Sequence, residues 1–557
     1  MIRWCSFLVF TLLLFFSSRL SAQSSAIQVL LLNGKIFTAQ NDTQFVEALA
    51  IGDGQIISIG KSADLQMLAG RETKIIDLGG KLVLPGFHDA HLHFWSGALL
   101  ENQLKLIGLR SKEEVLEKIR KAVSKLAAGE WLIGRGWDHE LWEVKELPTF
   151  EELDNIAPAN PVYLKRVDGH AAWVNSKVLE ILGYNQQTAD PNGGRIERFP
   201  GTRQPNGILI DTAYDPIDQM LPVPAFESRN RILKDAIGYA NSLGITSITD
   251  NSDAIIFENY AGIFSSERSS IRVNFWIDGN QDLDSLKNWF ESFASDERFL
   301  HAPLVKFYAD GSMGSRSALL LRPYADDPGN YGLRQHSADE LFQQVRSAAD
   351  KDWQIGIHAI GDAGNRLALD IFERLRQQSP DRNWRFRIEH AQFVQPIDIF
   401  RFARLGVVAS MQPSHCISDM KWVENRLGED AQFSYSWRSM LNHRVALAFG
   451  TDWPVEPLNP FLGIYAAITR QDTSGFPPSG WYQEQRLTVA EAVQAYTAGS
   501  AFAVNQENWL GKLLPGYTAD LIILDQDIFT VSPGEVLHTR VEKTFVNGRQ
   551  VFGSPSE

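Results

Sequence analysis

Between residues 27 and 84 the apolar runs are short and broken by glycine. Val29–Leu32 precedes Asn33-Gly34, a hairpin-type turn signal. Ala48–Ile51 and Gln55–Ile59 flank Gly52-Asp53-Gly54, and Lys74–Leu78 precedes Gly79-Gly80. This rhythm predicts an antiparallel sheet or sandwich. It returns at the far end in Ala519–Leu524 and Lys543–Val546, followed by Asn547-Gly548. Neither end is large enough to bury both faces of a sheet. The two are expected to pack together as one composite β-sandwich domain, built from residues 23–84 and 506–557.

In the middle, residues 85–505, apolar runs of buried-strand length alternate with longer helical patterns, the signature of βα units. Strands are expected at Lys81–Phe87, Ile245–Thr249, Arg272–Ile277, Leu304–Tyr308, Gln354–Ile357, Arg385–Ile388, Gly406–Ser410 and Val445–Phe449. Eight is the number that closes a (β/α)8 barrel, so the fold class is α/β with a TIM-like barrel. Helical patterns fall at Ser228–Ser242, Ala338–Lys351, Gly364–Gln378 and Pro396–Leu405, with Thr488–Ala498 after the last strand. The first two strands are separated by far more than the roughly 30 residues of a βαβ unit. An inserted domain is therefore expected at about residues 97–225, with a helix at Ser111–Ala127, a strand at Pro161–Lys165 and a Gly/Pro-rich run from Asp190 to Gly207. After the first strand of a barrel, such an insertion lies over the catalytic face, as a lid or specificity domain.

The formal charge of −14 speaks against a general nucleic-acid binder, which needs a basic face. Residues 1–22 run from Arg3 through the apolar stretch Cys5–Phe16 to Leu20-Ser-Ala22, in the order of a secretory signal peptide. The apolar stretch is too short for a comfortable membrane span. An exported protein, periplasmic or secreted, is expected, with no stable membrane span after cleavage. Cleavage removes Arg3 and Arg19 and no acid, taking the charge from −14 to −16. It leaves Cys416 alone, so stability must come from the core, from metals or from homo-oligomerisation.

Candidate chemistry sits at the strand ends. His91 and His93 are two apart, a spacing that turns both imidazoles to one side of a strand; alone it also fits two unrelated loop histidines. Lys306 lies within the fourth strand, and His358, His390 and Asp452 end the fifth, sixth and eighth. Parallel barrel strands end on one rim, where imidazoles and carboxylates form a plausible zinc-type site. A buried Lys306 would lose its charge and could take up carbon dioxide as a carbamate; the plain alternative is a lysine reaching solvent or an acid. His170 could reach the substrate from the insertion or make a structural hydrogen bond. Arg316 could bind a substrate carboxylate or carbonyl, or close a loop salt bridge. Trp95, Trp137, Trp142 and Trp453 could line an aromatic pocket or simply pack.

Taken jointly, Pro85–His93, Arg166–His170, Val305–Ser312, Ile357–Asp362, Glu389-His390, Thr451–Val455 and Gly511–Asp520 resemble the amidohydrolase superfamily. The likeness is to its family 3, the branch of N-substituted formamide deformylase-like and YtcJ-like metal-dependent hydrolases, and covers nearly all of the chain beyond residue 22. It implies two divalent metal ions, zinc being the first choice. His91 and His93 would hold one and His358 and His390 the other, with a carboxylated Lys306 bridging them. Asp452 would contact the first metal and shuttle a proton while a metal-held hydroxide cleaves a non-peptide carbon–nitrogen bond of a small-molecule substrate. Deaminases of the superfamily often carry a glutamate three residues after the strand-five histidine; here that position is Gly361. A lactonase or esterase would share the same metals. A binding protein that had lost catalysis would lack some of the ligands.

Overall fold

The computed structural model describes residues 26–554, apart from 101–102, 222, 267 and 294–295. The expected signal segment, 1–22, lies outside the described residues. At the centre is a parallel eight-stranded sheet whose strands follow one another in chain order. They are Phe87–Leu92 (β1), Ile245–Asn251 (β2), Arg272–Asp278 (β3), Leu300–Tyr308 (β4), Gln354–Ala359 (β5), Arg387–His390 (β6), Val408–Met411 (β7) and Leu447–Phe449 (β8). Every residue of β1, β5, β6, β7 and β8 is buried. Strands enclosed on both faces need no alternation, so β5, β7 and β8 read as mostly apolar runs, while β1 and β6 also bury His88, Asp89, His91, Arg387, Glu389 and His390.

The ring closes at its carboxyl rim. Asp452 donates its backbone N–H to the carbonyl of His91 at 2.8 Å, and His93 donates to Trp453 at 2.8 Å. Asp89 accepts from the Thr451 backbone at 3.0 Å and from its hydroxyl at 2.6 Å. Helices fall where the 3.6-residue pattern put them. Asp362–Gln378 and Pro396–Leu405 are two examples, the second opened by its own proline and ended by Gly406 in the left-handed conformation.

The first strand departs from expectation. The run Lys81–Phe87 is not one barrel strand but breaks at Gly86. Leu82–Pro85 pairs with Lys35-Ile36 and runs antiparallel to Leu521–Ile523, in the sheet of the chain ends. β1 begins only at Phe87. A Cβ on Gly86 would stand 2.3 Å from Thr246 Oγ1, so the chain passes here where a side chain could not.

Residues from both ends share one six-stranded sheet, in the order 549–552, 541–546, 521–524, 82–85, 35–37 and 45–46. A four-stranded sheet of residues 29–60 and 74–77 adds Leu31, Leu49 and Ile51 to the same apolar cluster as Leu521, Ile523 and Phe545. Residues 104–211, between β1 and β2, form a separate six-stranded sheet around Trp137, Trp173 and Leu164. Its helix Lys112–Val123 is capped by Ser111, which accepts from the Glu114 N–H. Among the described residues no helix is long and apolar enough to cross a membrane. Cys416 is free and buried, with its thiol pushed up to about 11 by burial.

One buried ion pair ties the barrel to the carboxyl-terminal strands. Arg272, at the start of β3, donates to Asp520 through Nε (2.7 Å) and Nη2 (3.0 Å). The same carboxylate accepts the N–H of Asn547 at 2.7 Å. Asp520→Ala strands a guanidinium in the core, so we expect a loss of roughly 3–5 kcal/mol. It should appear as an earlier midpoint in urea or heat; an unchanged midpoint would show that the pair does not hold the two parts together.

Candidate metal centre

At the carboxyl rim of the barrel, side chains from five strands turn inward around one point. His91 lies in β1 and His93 follows it; Lys306 is in β4, His358 in β5, His390 ends β6 and Asp452 follows β8. Nitrogen or oxygen atoms of His91, His390 and Asp452 all lie within 4.8 Å of one another. Asp452 Oδ1 is 3.6 Å from His91 Nε2 and 3.5 Å from His93 Nε2. Lys306 Nζ is 3.0 Å from His91 Nε2. The His358 ring lies 4.5 Å from that of His390, centre to centre. The structure thus brings together all six candidates named at the strand ends.

Each imidazole is aimed by a partner on its far side. His93 Nδ1 faces the Asn251 carbonyl at 3.1 Å, and His390 Nδ1 faces Gln412 Oε1 at 2.9 Å. His91 Nδ1 lies 3.0 Å from Glu389 Oε2, off the line of an ideal hydrogen bond. His358 Nε2 is 3.2 Å from the Gly311 carbonyl, which leaves its Nδ1 as the free nitrogen. These contacts fix the tautomers and point one lone pair of each ring inward. Asp452 Oδ1 is buried and accepts no hydrogen bond. Histidine lone pairs and an unpartnered carboxylate oxygen around one point suit a divalent cation of the zinc type.

The electrostatics agree with that fit. Burial pushes His91, His93, His358 and His390 down, so the rings are neutral and free to act as ligands. Burial also lowers Lys306 to about 8, against the pull of Asp452, Glu389 and Asp278. Burial alone would raise Glu389, but Arg387 and His91 outweigh it and hold the carboxylate at about 2. Arg387 makes the larger contribution, through Nε–Oε1 at 3.0 Å. His390 and Asp452 sit at φ 71° and 58°. Non-glycine residues seldom take this left-handed region, and such strain gathers at functional sites.

The cavity above these groups, about 810 Å³, is lined by barrel and insertion residues together. His170 lines it, with its ring 5.3 Å from His358 and Nδ1 2.6 Å from Asp211. Burial disfavours its charging, but Asp211 more than compensates and raises it. Arg316 does not join the cavity wall; its guanidinium pairs with Asp326 at 2.9 Å. Trp95, Trp137, Trp142 and Trp453 are buried and pack away from the cavity. Asp310 accepts backbone N–H groups from Leu319, Ile360 and Gly361, pinning the loop after β5. Asp362 accepts from Leu321 and Gln395.

Two contributors escaped the sequence reading. Glu389 precedes His390, yet its partner is His91. His415, in the segment after β7, places Nε2 3.2 Å from Asp452 Oδ2. Its neighbour Cys416 is buried with its thiol pushed up to about 11, whereas the imidazole faces the cavity. Burial would lower His415, but Asp452 and Glu456 raise it to about 9.

The chain belongs to the amidohydrolase family, whose model matches residues 74–552. Among its relatives, Protein LONG AFTER FAR-RED 3 of Arabidopsis thaliana is 35% identical over 94% of this chain and 91% of its own length. The putative amidohydrolase YtcJ of Bacillus subtilis is 31% identical, covering 93% and 98%. The N-substituted formamide deformylase of Arthrobacter pascens is 23% identical, covering 93% and 97%. Among solved structures, an uncharacterized metal-dependent hydrolase from Pyrococcus horikoshii superposes with a TM-score of 0.70 at 29% identity, covering 91% of this chain and 99% of that one.

Glu389 offers a direct check on the centre. In Glu389→Gln the neutral amide no longer steadies the His91 ring, and we expect metal affinity to fall by roughly 10- to 100-fold. Competition against a chromogenic chelator would measure this; unchanged affinity would remove Glu389 from the centre.

Proposed function

We propose that this protein hydrolyses a non-peptide carbon–nitrogen bond of a small molecule, using two divalent ions of the zinc type held by His91, His93, His358, His390, Asp452 and a carboxylated Lys306. The observation that carries the proposal is the buried, unpartnered Oδ1 of Asp452, within 3.6 Å of two imidazoles. When bound, divalent ions lower the pKa of water and polarise a carbonyl. The rest falls to the chain's own residues. Asp452 is the proton carrier: it takes a proton from the attacking water and delivers it to the leaving nitrogen, which departs poorly unless protonated. His415 holds Oδ2 at 3.2 Å, leaving Oδ1 to face the reacting atoms. Lys306, lowered to about 8 by burial, is neutral often enough to react with carbon dioxide. The resulting carbamate would supply oxygens where an ammonium would repel the cations.

The insertion, about residues 97–225, acts as a lid that excludes water and sets substrate choice, with His170 among the groups reaching the substrate. The protein is exported through its first 22 residues. A deaminase reading is disfavoured at Gly361. A Cβ there would lie 2.1 Å from the Leu319 carbonyl oxygen, so a glutamate could not enter without displacing that backbone. The amine-releasing chemistry fits the deformylase named among the relatives better than an ester hydrolase, whose leaving oxygen has less need of a proton.

Two experiments test the proposal. Dialysis against a strong chelator should abolish hydrolysis in a screen of N-acyl, N-formyl and ester substrates, and zinc should restore it. Asp452→Asn should lower kcat by roughly 10²- to 10⁴-fold, the usual range for a lost proton carrier, with metal still bound by elemental analysis. Full activity after exhaustive chelation, or in the asparagine variant, would refute the mechanism.

A further inference from the structure

Arg135 projects into the cavity from the strand Leu132–Trp137 of the insertion sheet, and lines the same space as His93, His390 and Asp452. Its surroundings are unusual for a guanidinium. Nη2 donates to the Val167 carbonyl at 3.0 Å, while Nε is buried without any partner. The neighbouring acids are committed elsewhere. Asp138 and Asp168 are both held by Arg166, Asp211 faces His170, and Asp218 is paired with Lys165. The leading opposite charge felt by Arg135 is Asp452 of the centre itself.

The turn above is shaped around this side chain. Gly169 sits at φ 78°, and a Cβ there would come 3.0 Å from Arg135 Nη2. The missing side chain therefore leaves the guanidinium room beneath the turn, and Arg135 lines the cavity. A half-buried guanidinium with a buried, unpartnered Nε and no carboxylate of its own is completed by an anionic ligand. A planar fork of N–H donors matches a carboxylate in two parallel hydrogen bonds. A phosphate fits less well: one free guanidinium would face a doubly charged group in a wall rich in aspartates.

We propose that Arg135 recognises a carboxylate on the substrate, so that the cavity accepts carboxylic acids bearing an N-acyl or similar C–N linkage. This rests on the C–N hydrolysis proposed above. The carboxylate docks on the insertion wall, and the scissile carbon lies toward Asp452 on the barrel rim. Binding energy gathered at Arg135 then orients the bond at a distance from the reacting atoms.

Calorimetric titration of the metal-loaded protein with N-benzoylglycine and with its neutral counterpart, N-benzoylglycinamide, tests this directly. The acid should bind at least about tenfold more tightly than the amide, as expected for one charge-assisted pair. Arg135→Gln should erase that preference by weakening the acid about tenfold and leave the amide within about twofold. Arg135→Lys, which keeps the charge and loses the fork, should retain part of it. Equal binding of the two probes to the unaltered protein, no detectable binding of the acid, or a preference that survives in Arg135→Gln would overturn the assignment. A clear preference without hydrolysis of any C–N substrate would instead refute the reaction and leave Arg135 in place. Hydrolysis of neutral amides with no preference would do the reverse.

Discussion

The constraint on which this structure turns is the burial of so many ionisable groups on one rim. Four imidazoles, a lysine and an aspartate converge where little water reaches, and their partners on the far side aim lone pairs inward. Without protons or cations between them, those lone pairs repel, and neutral histidines cannot relieve the charge on Asp452. A divalent cation at that point suits the inward lone pairs of His91 and His390 and the free oxygen of Asp452 together. The centre and the fold are thus coupled: the barrel closes through Asp452 N–H to the His91 carbonyl and through Asp89 to Thr451. The same short segments that complete the ring also carry the ligating side chains.

That coupling explains the strained backbone. His390 and Asp452 each leave their strand in a left-handed turn, which costs roughly 1–3 kcal/mol apiece. A relaxed turn would carry each side chain past the point where the others meet. The surrounding contacts hold the geometry against that cost: Gln412 on the ring of His390 and His415 on the carboxylate of Asp452.

The barrel was legible in the sequence because runs of buried-strand length alternate with helical patterns, and even the three-residue β8 announced itself through Val445–Phe449 and the Asp452 beyond it. The break at Gly86 had a local signal, Pro85-Gly86, which a reading of Lys81–Phe87 as one strand passes over. The proximity of Thr246, 160 residues away, adds the steric reason that the boundary residue is glycine. The convergence of the six candidate side chains was legible for the same reason as the barrel, since chain position fixed their height on the rim. Their supports were not. Glu389 serves His91 from the opposite side of the ring, and His415 reaches Asp452 across two strand ends. Such pairings depend on curvature, which no local pattern records. For Arg316 the loop salt-bridge alternative holds: it follows β4, and Asp326 lies close enough to claim it.

In the proposed reading, the insertion separates recognition from chemistry within one chain. The barrel supplies groups that must be placed to within a fraction of an ångström, and it supplies them from short, buried, mutually hydrogen-bonded strand ends. The insertion sheet has its own core around Trp137 and Trp173, so its cavity-facing side chains can change without disturbing the centre. Arg135 and His170 both stand on that sheet or its turns, yet both feel the charge of barrel residues: Asp452 for Arg135 and Asp310 for His170. A substrate spanning the cavity therefore meets two independently built walls. The strength with which it is held on one wall determines how accurately it is presented to the other.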